Sequence, residues 1–166
     1  MHKIFIETEE KLRKQGFDFD QMDFERPWGG FFVIREVQTL EFIKAYFPGV
    51  AMDNLIDGLK ISPKILMVAP GKKLSWQYHF RRSELWRVVS GPVGIATSEN
   101  DEEMPSKTYN TSDTITLRTG QRHRLIGLEN WGIVAELWLH ADPEHPSDED
   151  DIVRLQDDYN RTSPVQ

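Results

Sequence analysis

Short apolar runs separated by turn residues dominate the chain from Lys64 onward. Eight runs of five to eight residues follow one another: KILMVA, KLSWQYHF, ELWRVVS, VGIATS, SKTYN, DTITLR, HRLIGL and GIVAELWL. Gly71, Gly91, Gly120 and Asn130 lie between them. Many short strands at close spacing, punctuated by glycine, are typical of β-sandwiches and β-barrels. The sequence therefore predicts an all-β core of packed or closed antiparallel sheets.

Helices are predicted before this β region. A charged run that begins at Glu7 suits a short helix ending near Gly16, within an N-terminal arm of residues 1–25. A second helix is predicted over Thr39–Phe47, where Leu40, Ile43 and Phe47 recur at helical spacing before Pro48-Gly49 stops the pattern.

A third helix is predicted after the β region, which we place at residues 26–146. Ser147 can cap a first turn of acidic residues, and Ile152, Leu155 and Tyr159 then fall on one face. Residues 147–166 are therefore expected to form a C-terminal helix and tail that dock on the barrel. The whole chain, residues 1–166, has the length of one domain with a single core.

Composition excludes several classes of function. The chain has no cysteine, so disulfides, iron–sulfur clusters and thiol catalysis are absent, and any metal must bind nitrogen and oxygen. A net charge of -7 argues against a nucleic-acid partner. No apolar run approaches the roughly 20 residues of a membrane span. The first ten residues lack the pattern of a secretory signal, so a cytoplasmic location is expected.

Four side chains have the identity and spacing of metal ligands. Gln77 and His79 are two residues apart, so both point to the same face of an extended strand. Glu84 falls on the next predicted strand, and His123 begins a later one after Gly120. Imidazole, carboxylate and amide oxygen together suit zinc, iron, manganese or nickel. We therefore predict a divalent metal site formed by Gln77, His79, Glu84 and His123.

This spacing resembles the two motifs of the cupin superfamily. In the first motif Gly71, His79, Glu84 and Gly91 fall in register, and Gln77 stands where the first histidine normally does. The second motif resembles Thr119 to His123, with Arg118 in place of its proline. The resemblance implies a double-stranded β-helix, the cupin jelly-roll barrel, here with a helical N-terminal arm and a C-terminal helix.

The Gln-x-His form of the first motif resembles the C-terminal domain of type II mannose-6-phosphate isomerases. Arg-Pro-Trp-Gly at Arg26–Gly29 and the run EDDIVRLQDDYNR at Glu149–Arg161 resemble the same enzymes. The resemblance thus extends from Arg26 to Arg161. Many of these relatives also carry a sugar-nucleotide pyrophosphorylase domain, which is not recognised in this chain. No transferase activity is therefore expected.

The resemblance implies a metal-dependent conversion of mannose 6-phosphate into fructose 6-phosphate, in carbohydrate metabolism and polysaccharide biosynthesis. One divalent ion is expected, zinc before iron, manganese or nickel. Lys64 and Glu136 match the family and are candidates for the general base. Arginine suits phosphate because its fork donates two parallel hydrogen bonds. The arginines nominated for the substrate are Arg81, Arg82, Arg124 and Arg154.

Three positions depart from the pattern of these isomerases. Arg81 and Leu85 stand where the relatives usually have histidine, and Gly127 replaces an asparagine. On extended geometry Arg81 would share the face of Gln77 and His79, beside the metal. An isomerase for another sugar phosphate, such as a heptose phosphate, and a noncatalytic sugar-binding or regulatory cupin both stay open. An iron oxygenase ranks last, and a homodimer formed by strand pairing of the arm is also left open.

Overall fold

The computed structural model describes residues 1–50 and 60–164. Within these residues no helix is long and apolar enough to cross a membrane. In chain order the elements are α1 (Lys3–Lys14), β1 (Phe19–Arg26), β2 (Gly29–Ile34), a 3₁₀ turn (Glu36–Gln38), α2 (Thr39–Tyr46), β3 (Ile61–Val68), β4 (Trp76–Tyr78), β5 (Arg82–Ser90), β6 (Val93–Ser98), β7 (Lys107–Tyr109), β8 (Thr114–Leu117), β9 (Arg122–Gly127), β10 (Gly132–His140) and β11 (Val153–Gln156).

The strands form two antiparallel sheets. One has six strands in the order β1-β2-β3-β10-β5-β8, and the other has five in the order β11-β4-β9-β6-β7. All eight apolar runs identified in the sequence overlap one of these strands, so the predicted all-β architecture is confirmed. Consecutive strands alternate between the sheets along much of the barrel, which is why residues distant in sequence meet between them.

The inner strands of the six-stranded sheet are buried on both faces, and strand alternation decides which residues face which side. In β3, Ile65 and Met67 pack in a cluster with residues of α1 and α2, whereas Leu66 and Val68 belong to a second cluster with residues of β6 and β9. In β10, Ala135 joins the first cluster and Val134 the second. Polar residues in phase with Leu66 and Val134 therefore lie on the face turned toward the five-stranded sheet.

The N-terminal segment contains the predicted helix and a strand that the sequence did not indicate. Helix α1 buries Phe5 and Leu12 in the core. Phe19–Arg26 then pairs with β2 of the same chain, with Met22 opposite Phe32. Its sequence alternates apolar and polar residues with one interruption, at Asp20-Gln21, where the register with β2 also shifts.

The predicted helix Thr39–Phe47 is confirmed as α2, and of its predicted apolar face Ile43 and Phe47 are buried but Leu40 is not. Phe42, Ile43 and Tyr46 are buried, whereas Leu40 is 42% exposed. Phe42, Ile43 and Tyr46 pack in the core cluster, and this packing determines which face of α2 is buried.

The predicted C-terminal helix is wrong. Residues 147–152 contain one turn, at 149–150, and no helix, and Val153–Gln156 is strand β11, which pairs antiparallel with β4. The carboxylate of Asp151 accepts hydrogen bonds from the backbone N–H groups of Phe80 and Arg81, each at 3.0 Å, and from the Ser147 hydroxyl. These contacts to another segment hold the chain out of a helix, although its apolar residues recur at helical spacing.

We expect Gly29→Ala to destabilise the fold. Gly29 has φ +148°, and an added Cβ would lie 1.9 Å from the Met67 carbonyl oxygen on the neighbouring strand. The unfolding free energy should fall by about 2 kcal/mol or more because both overlap and backbone strain oppose a side chain. Chemical denaturation measures this change.

The matched control is Gly49→Ala, since an added Cβ at Gly49 meets nothing within 4 Å. Its unfolding free energy should stay within about 0.5 kcal/mol of the parent. Equal effects of the two substitutions would contradict the close approach of β2 and β3.

Candidate active site

Three predicted ligand residues meet between the two sheets. His79 directly follows β4, His123 lies on β9, and Glu84 reaches them from β5 of the opposite sheet. Nε2 of His79 is 3.2 Å from Glu84 Oε1, and Nε2 of His123 is 3.5 Å from Glu84 Oε2. One ligand atom from each residue lies within 4.8 Å of the others, and each residue is only 2% exposed.

Both imidazoles are oriented by backbone carbonyl groups. Nδ1 of His79 is 2.6 Å from the Asp151 carbonyl oxygen, and Nδ1 of His123 is 3.0 Å from that of Gln121. A carbonyl oxygen can only accept a hydrogen bond, so Nδ1 carries the proton and Nε2 carries the lone pair. Histidines that bind metals are commonly held in this way, by a hydrogen bond from the other ring nitrogen.

Electrostatics favour neutral imidazoles beside a charged carboxylate. Burial lowers the pKa of His79 to about 3 and also lowers the pKa of His123. Burial opposes the charge of Glu84, but the positive charge of Arg82 is the main cause that lowers the pKa of Glu84 overall. Two neutral nitrogens and one anionic oxygen form a donor set that divalent cations accept.

His123 gives a further reason that the site fits a metal. Its Nε2 atom is buried and has no hydrogen-bond partner among the described residues. A buried polar atom without a partner costs free energy, and such atoms are rare in folded proteins. The His79, Glu84 and His123 group could therefore hold a metal ion.

Gln77 lies next to this cluster. It pairs directly with His123 in the register of β4 and β9. Its Oε1 accepts a hydrogen bond from the Ser75 hydroxyl at 2.6 Å, and its Nε2 lies 3.5 Å from His79 Nε2. In this amide orientation the nitrogen faces the cluster, so Gln77 would present its oxygen to a metal only after the amide group rotates.

Arg82 lies inside the cluster. Its Nε donates a hydrogen bond to Glu84 Oε1 at 2.8 Å, and its Nη2 lies 3.2 Å from His79 Nε2. The guanidinium carbon also stacks 3.6 Å from the ring centroid of Trp138. Arg82 thus occupies the lone pair of His79 that a metal would need.

Glu136 and Lys64 lie beside the cluster, directly opposite each other in the register of β10 and β3. The indole N–H groups of Trp86 and Trp138 donate to the two carboxyl oxygens of Glu136, at 2.8 and 2.9 Å. Burial and the negative charge of Glu84 raise the pKa of Glu136 well above its usual range. Lys64 forms an ion pair with Glu149 and lies 3.6 Å from the Trp138 ring centroid.

A cavity between the sheets brings several of these groups together. Of the nominated residues, its lining includes Lys64, Gln77, Arg82, Glu84, Glu136 and Arg154. Sequence reasoning did not nominate three charged residues that line it, Arg26, Glu149 and Arg161, or the aromatic residues Trp28, Phe31 and Trp138. Trp138 could have been found, because it is in phase with Glu136 on β10.

Two nominated arginines do not line this cavity. Arg81 is 42% exposed and contacts Asp148 and Asp151, because β4 ends at Tyr78 and strict alternation stops before residue 81. The expected position of Arg81 beside the metal is therefore wrong. Arg124 follows His123 on β9 and takes the opposite face, where it binds Glu103 and Gln156.

The chain is similar to several known proteins. Residues 35–157 match a family model described as mannose-6-phosphate isomerase C-terminal. The xanthan biosynthesis protein XanB of Xanthomonas campestris is 37% identical over 72% of this chain and 24% of its own. The alginate biosynthesis protein AlgA of Pseudomonas fluorescens is 31% identical over 78% of this chain and 25% of its own. The chain thus spans about a quarter of these curated relatives.

Two solved structures share the fold at low identity. The capsular polysaccharide assembling protein CapF of Staphylococcus aureus is 18% identical, with a TM-score of 0.53 over 82% of this chain and 34% of its own. Hazelnut vicilin is 16% identical, with a TM-score of 0.54 over 81% and 35%. The predicted cupin barrel with a helical N-terminal segment is confirmed. The chain belongs to the family of mannose-6-phosphate isomerase C-terminal domains.

Proposed function

We propose that this chain is a metal-dependent aldose–ketose isomerase that converts mannose 6-phosphate into fructose 6-phosphate. The observation that carries the proposal is the buried group of His79, Glu84 and His123, with both Nε2 lone pairs directed toward one carboxylate. Membership of the family supports the reaction class. The names of XanB and AlgA support a role in polysaccharide biosynthesis.

The metal would be held by His79, Glu84 and His123, with Gln77 adjacent. Zinc is the first candidate because imidazole and carboxylate ligands with one open position are typical of its catalytic sites. When bound, a divalent ion supplies Lewis acidity to the sugar oxygens that gain negative charge during isomerisation.

Glu136 is our candidate for the group that moves the proton between the two sugar carbons. Two indole N–H groups fix its carboxyl group in one orientation on the wall of the cavity. A fixed orientation matters because proton transfer requires hydrogen-bond distance to the substrate. Lys64, opposite Glu136 on the next strand, is the second candidate, and it can also attract the anionic substrate.

A noncatalytic sugar-binding cupin is the alternative, and one observation favours it. The guanidinium group of Arg82 already contacts His79 and Glu84, so two of the three cluster residues have a partner without a metal. Such a protein would still bind a sugar in the cavity but would not catalyse isomerisation. Metal content of the purified chain separates the two functions.

The proposed reaction has a direct test. Protein loaded with Zn²⁺, and in parallel with Mn²⁺, Fe²⁺ or Ni²⁺, should convert mannose 6-phosphate into fructose 6-phosphate in a coupled assay. His123→Ala should lose bound metal and turnover together, because it removes one of the three ligands. No product with any of the metals, under conditions where a known isomerase works, would sink the proposal.

Glu136→Gln should reduce kcat by roughly 10²–10⁴-fold because it removes a proton-transfer group while preserving shape. Bound metal, measured by elemental analysis, should stay at the level of the parent. Glu99→Gln is the control, since Glu99 pairs with Arg118 on the surface. If Glu136→Gln keeps the turnover of the parent, Glu136 is not the proton-transfer group, and Lys64 becomes the candidate.

Arg82→Gln should bind Zn²⁺ more tightly than the parent, because the His79 lone pair and the Glu84 charge are then free of a competing cation. The metal-free protein should be less stable by about 3–5 kcal/mol, since Glu84 stays buried without its partner. Chelator competition and denaturation measure the two effects.

The control for this experiment is Arg118→Gln, which makes the same change of charge in an exposed ion pair. Neither the affinity for Zn²⁺ nor the stability should change there. Arg82→Lys, which keeps the charge, distinguishes competition from loss of fold. Equal metal affinity of Arg82→Gln and the parent would show that Arg82 and the metal do not compete.

A further inference from the structure

His140, the last residue of β10, is buried but has no part in the metal chemistry or proton transfer proposed above. Its imidazole ring contacts two serines. Nδ1 lies 2.9 Å from the backbone nitrogen of Ser147, and Nε2 lies 2.8 Å from Oγ of Ser62 on β3. Buried polar groups are normally paired in this way, and here both ring nitrogens have a partner. The orientation of the ring is therefore fixed from both sides.

The two contacts define the tautomer of His140. The backbone N–H of Ser147 can only donate, so Nδ1 of His140 is the acceptor and Nε2 carries the proton. Burial is the largest cause that lowers the pKa of His140 to about 4, and the positive charges of Lys60 and Arg82 lower it further, so the ring is neutral near pH 7. Nε2 then donates to the Ser62 hydroxyl and cannot accept its proton. His140 is therefore not a general base for a nucleophile at Ser62.

Ser147 connects His140 to the groups around the candidate metal site. The chain between the two residues is exposed over residues 141–145, so few packing contacts are available there to place Ser147. The hydrogen bond to His140 closes this excursion at its base. The Ser147 hydroxyl donates to the Asp151 carboxylate and accepts a hydrogen bond from Nη1 of Arg82 at 2.7 Å. The position of Ser147 thus affects both neighbours.

Asp151 in turn binds the segment that contains His79. Its carboxylate accepts hydrogen bonds from the N–H groups of Phe80 and Arg81, and its carbonyl oxygen lies 2.6 Å from Nδ1 of His79. This carbonyl keeps the proton on Nδ1 and leaves the lone pair on Nε2, which faces Glu84. The partner of one ring nitrogen decides which nitrogen of an imidazole is protonated. A displaced Asp151 carbonyl would therefore release the tautomer of His79.

We propose that His140 is a positioning residue for the candidate metal ligand His79, and that it acts through Ser147 and Asp151. Three hydrogen bonds between buried residues connect the two imidazole rings. Loss of such an outer partner typically lowers metal affinity by about 10–100-fold. The inference rests on the proposed function for its bearing on catalysis, whereas the tautomer of His79 can be measured without metal or substrate.

The test measures the tautomer of His79 in the metal-free protein by ¹⁵N NMR of the imidazole nitrogens, with His79→Asn to assign the signals. The parent should show the Nδ1–H tautomer alone. His140→Leu removes the acceptor of the Ser147 N–H and should show a mixture of both tautomers. Its affinity for Zn²⁺, measured by chelator competition, should fall by roughly 10–100-fold. With Zn²⁺ bound, kcat should fall and KM should change little, because His140 does not line the cavity.

Two controls separate positioning from a general loss of stability. Ser62→Ala removes the other partner of the His140 ring and leaves the contact with Ser147. Gly29→Ala destabilises the fold outside this network. Both should keep the tautomer and the Zn²⁺ affinity of the parent. His140→Asn offers an oxygen acceptor in place of Nδ1, so it should recover most of the affinity that is lost in His140→Leu.

The inference is overturned if His140→Leu keeps the His79 tautomer of the parent, or if Ser62→Ala or Gly29→Ala changes that tautomer as much. If His140→Leu does not fold, Ser147→Ala decides the question. It removes the hydroxyl group that binds Asp151, so the tautomer of His79 should shift in the same direction. An unchanged tautomer in Ser147→Ala would then overturn the inference.

Failure of this inference differs from failure of the proposed function. A shifted His79 tautomer in His140→Leu, without formation of fructose 6-phosphate by the parent, would support the positioning role and contradict the isomerase. Turnover by the parent, with an unchanged tautomer in His140→Leu, would support the isomerase and overturn the positioning role.

Discussion

The buried residue Asp151 joins the end of the chain to the centre of the site. Its carbonyl oxygen accepts the Nδ1 proton of His79, and its carboxylate accepts the backbone N–H groups of Phe80 and Arg81. The carboxylate is fully buried, yet its pKa is lowered overall because the hydrogen bonds from Ser147 and these N–H groups outweigh the burial. One residue thus sets the tautomer of a candidate ligand, the bend after β4 and the start of β11.

The buried tryptophans supply partners to the polar groups between the sheets. The indole N–H of Trp86 donates hydrogen bonds to both Glu84 and Glu136, and the indole N–H of Trp138 donates to the other carboxyl oxygen of Glu136. Trp138 also lies under the two cations Lys64 and Arg82, at 3.6 Å from each. The two tryptophans therefore act as donors at their edges and as cation-binding surfaces on their faces. This network lowers the free-energy cost of burying charged side chains between the sheets.

The sequence predicted the strands and the ligand cluster because both depend on local spacing. The gap of two residues predicted that Gln77 and His79 share a face, whereas Lys64 and Glu136 were nominated through the resemblance to the isomerase family. Spacing failed where a distant contact decides the local structure. Ile152, Leu155 and Tyr159 recur at helical spacing, but the Asp151 carboxylate instead accepts hydrogen bonds from the loop after β4. Arg81 leaves the expected face because β4 stops at Tyr78. Arg26 and Arg161 were missed since no local pattern links residues so far apart in the chain.

Because β11 lies at the edge of its sheet, the residues that would bind the substrate and those that would catalyse the reaction lie on different kinds of strand. An edge strand makes backbone hydrogen bonds to only one neighbour, here β4, so its side chains can change with little effect on the other strands. It delivers Arg154 to the cavity wall, whereas Glu84, His123 and Glu136 come from strands inside the two sheets. Evolution can therefore alter which molecule is held through the edge strand, while the strands that would carry the chemistry stay the same.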